Sequence, residues 1–172
     1  MTSVRVRRAT PADATAIAEI HVASFKAAHR GLVPLDQLTV ERREVIWRDL
    51  LGAPPNEGFM LAAERVQQVI GFCHVATPSR DVDSGPVTAE LTSIYVSPQQ
   101  WRSRAGTALL GAAVDDLVAG GWRELTLWVL AANERACDFY VSLGFTADGA
   151  EKTHRPSGQR EVRLRRPLDG TE

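Results

Sequence analysis

The stretch Ser97–Val114, "SPQQWRSRAGTALLGAAV", decides how this sequence is read. It follows a β-branched run and leads into an apolar helical pattern, so a strand end, a tight turn and a helix start are expected. A helix start leaves its first N–H groups unpaired and carries partial positive charge, a combination that binds anions such as pyrophosphate. That end effect is worth about 0.3–1 kcal/mol when exposed and about 2 kcal/mol when partly buried. An anion site here therefore needs side-chain donors as well, and Arg102, Ser103, Arg104 and Thr107 supply them. One feature stands against it. The turn holds a single glycine, Gly106, and an arginine stands where a second would be expected. The competing reading is an ordinary helix start with two solvated arginines.

The flanks extend the pattern. Upstream, "TAELTSIYVS" is rich in β-branched and aromatic residues and reads as a strand. Downstream, the helix ends at Gly120–Gly121, "ELTLWVLA" is a strand, and "NERACDFYVSLGF" is a helix stopped by Gly144. The N-terminal half opens with the alternating strand "VRVRRA". Next comes a helix with Thr10 as N-cap, Pro11 in its first turn, Ile17, Ile20 and Ser24 on one face, and Gly31 as its stop. Thr39 caps a second helix, with Val45, Ile46, Leu50 and Leu51 as its apolar residues and the turn "GAPPNEG" behind it. "GFMLAAER" and "QVIGFCHVAT" form a hairpin around Val66–Gln68, "PSRDVDSGP" is a loop, and "REVRLRRP" is the last strand, with a further strand expected near Phe145. An antiparallel half joined to a βαβ half makes the fold α+β with a mixed sheet.

Composition removes several classes of function. The 172 residues suit one domain, expected over 1–172 with its core at about 4–167. A net charge of −1 gives no global field for nucleic acid or a membrane surface. The basic tail "RLRRP" alternates like a strand and lacks interleaved aromatics, so no nucleic-acid partner is expected. No apolar run reaches a membrane-spanning length, and "MTSVRVRRATPADA" lacks a secretory apolar region. Cys73 and Cys137 match no metal or redox spacing and read as thiols of a reducing cytoplasm. His21, His29, His74 and His154 form no ligand set, so no metal is expected. A dinucleotide oxidoreductase would need G-x-G-x-x-G after a strand, and only Gly106 and the distant Gly111 are present.

Taken together, "ELTSIYVSPQQWRSRAGTALL" and "LTLWVLAANERACDFYVSLGF" resemble the GNAT superfamily of acyl-CoA-dependent N-acetyltransferases. The family's phosphate loop reads Gln/Arg-x-x-Gly-x-Gly/Ala, followed after two residues by a Leu pair. A register starting at Arg102 would put Ala105 and Thr107 at the glycine positions. Pro98 and Leu109–Leu110 favour the register starting at Trp101, with Arg104 at the first glycine position and Gly106 at the second. Trp101 and Arg104 are then departures from the family. The segment Asn133–Phe145 matches the second cofactor motif, and the element order fits nearly the whole chain. The implied architecture is a mixed, mostly antiparallel central sheet flanked by helices, with two parallel strands splaying at a cofactor notch.

The resemblance implies acetyl transfer from acetyl-CoA to a primary amine by direct attack. Removing a proton from a lysine-type ammonium of pKa near 10.4 costs on the order of 4.6 kcal/mol at pH 7. Glu90 stands where the family commonly has its general base, against the alternative of a carboxylate in a surface pair. Tyr140 stands where the family has the proton donor to the departing thiolate, against a core aromatic beside Phe139. Cofactor contacts are implied for Ile94, Tyr95 and Val96, whose free backbone groups would pair with pantetheine like an added strand. They are implied also for Trp101, Arg102, Ser103, Arg104, Ala105, Gly106 and Thr107, and for Asn133, which is equally a good N-cap. Phe25, His29 and Arg30 are the acceptor-pocket candidates. If Arg104 needs φ > 0, its side chain costs roughly 1–2 kcal/mol; a near-helical backbone is expected instead, with the guanidinium swung towards a CoA phosphate. The alternative function is an acyl-CoA-binding regulatory module with little catalysis. The acceptor's identity and the oligomeric state, a homodimer included, are left open by the sequence.

Overall fold

Alternating and β-branched segments become strands and capped apolar segments become helices in the computed structural model, which describes residues 3–53, 58–155 and 157–168. The order is β1 (Arg5–Arg8), α1 (Ala14–Ala28), α2 (Val40–Leu51), β2 (Gly58–Arg65), β3 (Gln68–Ala76), β4 (Thr88–Val96), α3 (Ala105–Ala119), β5 (Glu124–Leu130), α4 (Glu134–Ser142), β6 (Thr146–Thr153) and β7 (Arg160–Pro167). The strand expected near Phe145 is β6. The turn expected at "GAPPNEG" falls largely on residues 54–57, outside the described residues.

Among the described residues the strands form one 7-stranded sheet, ordered β1-β2-β3-β4-β5-β7-β6. Neighbours are antiparallel except β4 and β5, which run parallel. That parallel pairing covers only Thr88↔Glu124, Ala89↔Leu125 and Glu90↔Thr126. Beyond Glu90 the two strands part, while β5 stays paired with β7 up to Leu130↔Glu161. A register shift at His74/Val75 bends the β3–β4 ladder near the parting point.

Both faces of the sheet are covered. Leu61, Cys73, Val75 and Leu91 pack with Leu109, Leu110 and Leu117 of α3 and with Phe145. On the other face, Met60 and Phe72 pack with Ile17 and Ile20 of α1 and Trp47 of α2. Successive residues such as Met60 and Leu61 thus enter opposite layers, as the period of a strand requires.

The caps follow their chemistry. Thr39 Oγ1 accepts from the Arg42 N–H at 3.4 Å, and Asp13 Oδ2 accepts from the Thr10 N–H at 2.7 Å. Pro11 begins a short 3-10 turn, Pro11–Asp13, that leads into α1. The apolar face expected for α2 needs correction. Val45 is 61% exposed and Ile46 49%, while Trp47 is buried and Leu50 and Leu51 pack partly against the core. The large indole fills the space between α1 and the sheet, and it sets the rotation of the helix.

Trp47 Nε1 donates to Nδ1 of the buried His21 at 3.1 Å. Burial, with Arg43 adding to it, pushes the His21 pKa down to about 3. The ring therefore stays neutral in the fold but protonates near 6.5 when unfolded. Its contribution is complete above pH 6.5 and is lost progressively as pH falls towards 3. At pH 4.5 that loss is about 2–3 kcal/mol. His21→Asn keeps an acceptor near the Nδ1 position but cannot titrate. Urea unfolding at pH 7 and 4.5 should show a smaller drop for the variant than for the wild type. Equal drops would remove His21 from the pH response.

Candidate functional site

Where β4 and β5 part, a cleft of about 710 Å³ opens, a size typical of small-ligand sites. Its walls come from the end of α1, the outer half of β4, the turn before α3, the end of β5, the start of α4, and the β6–β7 connection. Of the residues expected from sequence, Ile94, Tyr95, Val96, Trp101, Arg102, Arg104, Ala105, Gly106, Thr107, Asn133, Tyr140, Phe25 and His29 all line it. Ser103, Arg30 and Glu90 do not.

The turn is tighter than expected. Arg104 has φ 66 and ψ 9 and sits in the left-handed region as the N-cap of α3; Arg102 has φ 65. The near-helical backbone expected at Arg104 is therefore wrong. The reason is local: Gln100 is the last residue of a 3-10 turn, Pro98–Gln100, and Ala105 is already helical. Trp101 is still extended, so the change of direction into α3 falls on Arg102–Arg104, and it is made by left-handed conformations at Arg102 and Arg104. Ser103, between the two arginines, keeps its Oγ buried with no hydrogen-bond partner. An orphaned hydroxyl beside two cationic side chains and a helix N-terminus suits a phosphate group. Gly106 meets a different demand, because a Cβ there would lie 3.2 Å from Phe139 Cζ. The missing side chain lets α3 and α4 approach under the cleft.

Two other expectations change. The Val96 carbonyl, expected free for pantetheine, accepts from Ser24 Oγ at 2.7 Å and from Trp101 Nε1 at 2.8 Å. The guanidinium of Arg135 stacks on the Trp101 ring at 3.6 Å. Glu90 is 4% exposed. Its Oε2 accepts from Arg80 Nε at 3.0 Å and the Arg80 N–H at 3.1 Å, and its Oε1 from Arg80 NH2 at 2.8 Å. Burial would raise its pKa, but the Arg80 bonds and charge outweigh that and hold it below the ordinary carboxylate value. At the parting point Glu90 is thus a buried carboxylate, bonded through both oxygens to an arginine whose side chain is largely exposed.

Tyr140 is partly buried in the cleft wall, packs against Phe139 and Phe145, and has its phenol pKa raised by burial. It therefore stays a proton donor at neutral pH. Asn133 Oδ1 accepts from the Ala136 N–H at 3.2 Å, so the cap role is observed alongside its place in the wall.

Sequence reasoning missed Arg135, Trp128, His154 and Glu161, which also line the cleft. Arg135 lies two residues beyond Asn133 in the first turn of α4, so the motif itself held a cue. Trp128 had none. Its Nε1 donates to Asp81 at 3.0 and 3.1 Å, and Arg163 ties that loop down through Asp81 and Asp83 and reaches β6 through Asp148. These partners come from distant segments.

The chain and its fold have counterparts among known proteins. The sequence pattern of the acetyltransferase (GNAT) family matches residues 15–145. The chain belongs to that family. The uncharacterized N-acetyltransferase YuaI of Bacillus subtilis is 29% identical over 131 residues, covering 76% of this chain and 73% of YuaI. A mycothiol acetyltransferase of Sanguibacter keddieii is 30% identical over 116 residues, covering 67% of this chain but 34% of that protein. Among solved structures, PaiA N-acetyltransferase of Thermoplasma acidophilum, in complex with coenzyme A, superposes with TM-score 0.75 at 20% identity. That match covers 96% of this chain and 99% of PaiA. YncA of Salmonella typhimurium, solved with acetyl-CoA, gives 0.73 at 22% identity and covers 99% and 97%. Among the described residues no group of side chains could hold a metal ion, and no helix is long and apolar enough to cross a membrane.

Arg104 adds roughly 1–2 kcal/mol of left-handed strain that glycine would not. Glycine returns about 0.4–1 kcal/mol of that through a freer unfolded chain. Arg104→Gly should therefore match or exceed the wild type in stability, by no more than about 1.6 kcal/mol. A clear fall in thermal midpoint would show that the side chain stabilises the turn.

Proposed function

We propose that this chain is an acetyl-CoA-dependent N-acetyltransferase that acylates a primary amine by direct attack, as one catalytic unit in the cytoplasm. The observation that carries the reading is the cleft between the parted strands. A strained cationic turn and the α3 N-terminus stand at one end, and a protonated Tyr140 stands in its wall. The N-acetyltransferase relatives support the same chemistry, and neighbours of the same fold solved with CoA or acetyl-CoA support that cofactor.

In this reading Arg102, Arg104 and Arg135 hold the CoA phosphates, with Ser103 Oγ and the first N–H groups of α3 beside them. Asn133, Thr107 and the β4 backbone at Ile94–Tyr95 orient the pantetheine. A strand N–H near Ile94 polarises the thioester carbonyl and stabilises charge developing on its oxygen. Tyr140 gives its proton to the departing thiolate. Phe25, with His29 at the end of α1, borders the acceptor. Glu90, locked to Arg80, holds the geometry at the head of the cleft, and the amine proton goes to a group in the cleft wall.

The test pairs acetyl-CoA with a panel of primary amines: n-propylamine, phenethylamine, glycinamide and a peptide with a free N-terminal alanine. Released thiol and amide mass are read together. Transfer to at least one amine, with a raised thermal midpoint in acetyl-CoA, is expected. Binding without turnover would replace this reading with an acyl-CoA-binding module, and neither binding nor turnover would sink both. Tyr140→Phe should lower kcat by about 10²-fold and leave the KM for acetyl-CoA within about twofold. Unchanged turnover would remove the donor role.

A further inference from the structure

The cleft is divided by charge. The cations Arg102, Arg104 and Arg135 sit by the α3 and α4 starts, and one carboxylate, Glu161, lines the wall among the described residues. Glu161 lies on β7, paired with Leu130 at the far end of β5, where that strand has already left β4. Its ion pair is loose, with Lys152 Nζ 3.8 Å from Oε2, beyond hydrogen-bond distance. Glu90, in contrast, has both oxygens bonded to Arg80 and lies outside the cleft lining. A base must reach the proton it removes, directly or through one water.

The surroundings of Glu161 suit an incoming ammonium. Phe25, Tyr95 and Trp128 line the same cleft, and the Lys152 ammonium already lies 4.1 Å from the Trp128 ring, which shows that this wall accommodates a cation. The Tyr95 phenol is pushed up to about 12, chiefly by burial, with the Glu161 charge adding to it. The other titratable groups nearby are Lys152 on β6, His154 in the β6–β7 connection and, on the α1 side, His29. Arg160, next to Glu161 in the chain, is paired with Glu151. Ser157 Oγ engages Nδ1 of His154 at 2.7 Å and fixes the ring beside the cleft.

We propose that Glu161, rather than Glu90, docks the acceptor's ammonium and takes its first proton, so that the acceptor is a cationic primary amine. This rests on the N-acetyltransferase reading. The ammonium gives one proton to the Glu161 carboxylate. The nitrogen lone pair forms the C–N bond at the thioester carbonyl, and the C–S bond breaks with its electrons on sulfur. Tyr140 protonates that thiolate and is reprotonated through water by the second nitrogen proton. Glu161 then releases its proton to solvent. The balance is acetyl-CoA plus RNH3+ giving the amide, CoA thiol and one proton.

The experiment compares wild type, Glu161→Gln and Glu90→Gln with phenethylamine, and with n-propylamine if that turns over faster, from pH 7 to 9.5. Glu161→Gln is expected to lose about 10²-fold in kcat/KM at pH 7. The deficit should shrink as pH rises, because each unit supplies about tenfold more free amine below an amine pKa near 10. Affinity for CoA should stay within about twofold. Glu90→Gln should melt earlier and keep the wild-type pH profile. Wild-type turnover in Glu161→Gln, a deficit constant with pH, or a flattened profile in Glu90→Gln would each overturn the assignment while leaving the transferase reading intact. Loss of CoA affinity in Glu161→Gln would also overturn it. Absence of transfer in the wild type would instead sink the transferase reading.

Discussion

The site exists because β4 and β5 cannot stay paired. Their parallel ladder lasts from Thr88 to Glu90, and past Glu90 the gap is held open from both sides. On the β4 side, the Val96 carbonyl is drawn to Ser24 and Trp101, which ties the strand's end to α1 and to the turn before α3. On the β5 side, an unbroken antiparallel ladder keeps the strand with β7. The last pairing point carries a buried carboxylate, and Arg80 neutralises it. Removing one partner of such a pair leaves an uncompensated buried charge, which is strongly destabilising. The Glu90–Arg80 pair therefore marks the point where β4 leaves β5.

Everything that lines the opening inherits its place from that split. Trp128 is held at its rim by Asp81, and Asp81 by Arg163, so the loop between β3 and β4 forms part of the wall's support. Arg163 gathers Asp81, Asp83 and Asp148 while its side chain remains 12% exposed, and those bonds raise its pKa above the ordinary arginine value. The shielded part of this network, Arg163 with Asp81 and Asp148, couples β6, β7 and the loop more strongly than surface pairs would, while Asp83 adds an exposed contact. The rim is consequently cross-linked to the loop, β6 and β7 by side-chain bonds.

How much of this is legible in the sequence depends on the range of the cause. Strands, caps and helix stops are local, and periodicity and cap chemistry place them, including β6 near Phe145. The two motifs bring Tyr140, Asn133 and the residues of the turn to one cleft. The α2 face is misleading in the sequence because a single indole outweighs two aliphatic residues, which is a property of the space it fills. Glu90 is readable from its position alone. Its partner, Arg80, lies ten residues earlier in a loop with no periodic signal, and without that partner a buried clamp looks like a free base. Glu161 is hidden in the alternation of "REVRLRRP", a strand crowded with charged residues. Only the pairing of Leu130 with Glu161 singles it out.

The turn at Trp101–Arg104 shows what backbone strain achieves here. Non-glycine residues with positive φ, among those described, are Val66, Gln67, Arg102 and Arg104. The first two form the tight link between β2 and β3, where a hairpin's twist demands that conformation. No hairpin demands it at Arg102 and Arg104, since a strand can enter a helix through several unstrained connections. Two left-handed arginines cost roughly 2–4 kcal/mol together, and a glycine at either would remove about half of that strain, offset in part by its freer unfolded chain. Strain of this kind gathers at sites where the surroundings overdetermine the backbone. Here it keeps two guanidinium groups, a buried hydroxyl and a helix N-terminus on one short segment. The arginine at the glycine position is therefore a backbone cost that leaves positive charge on the turn.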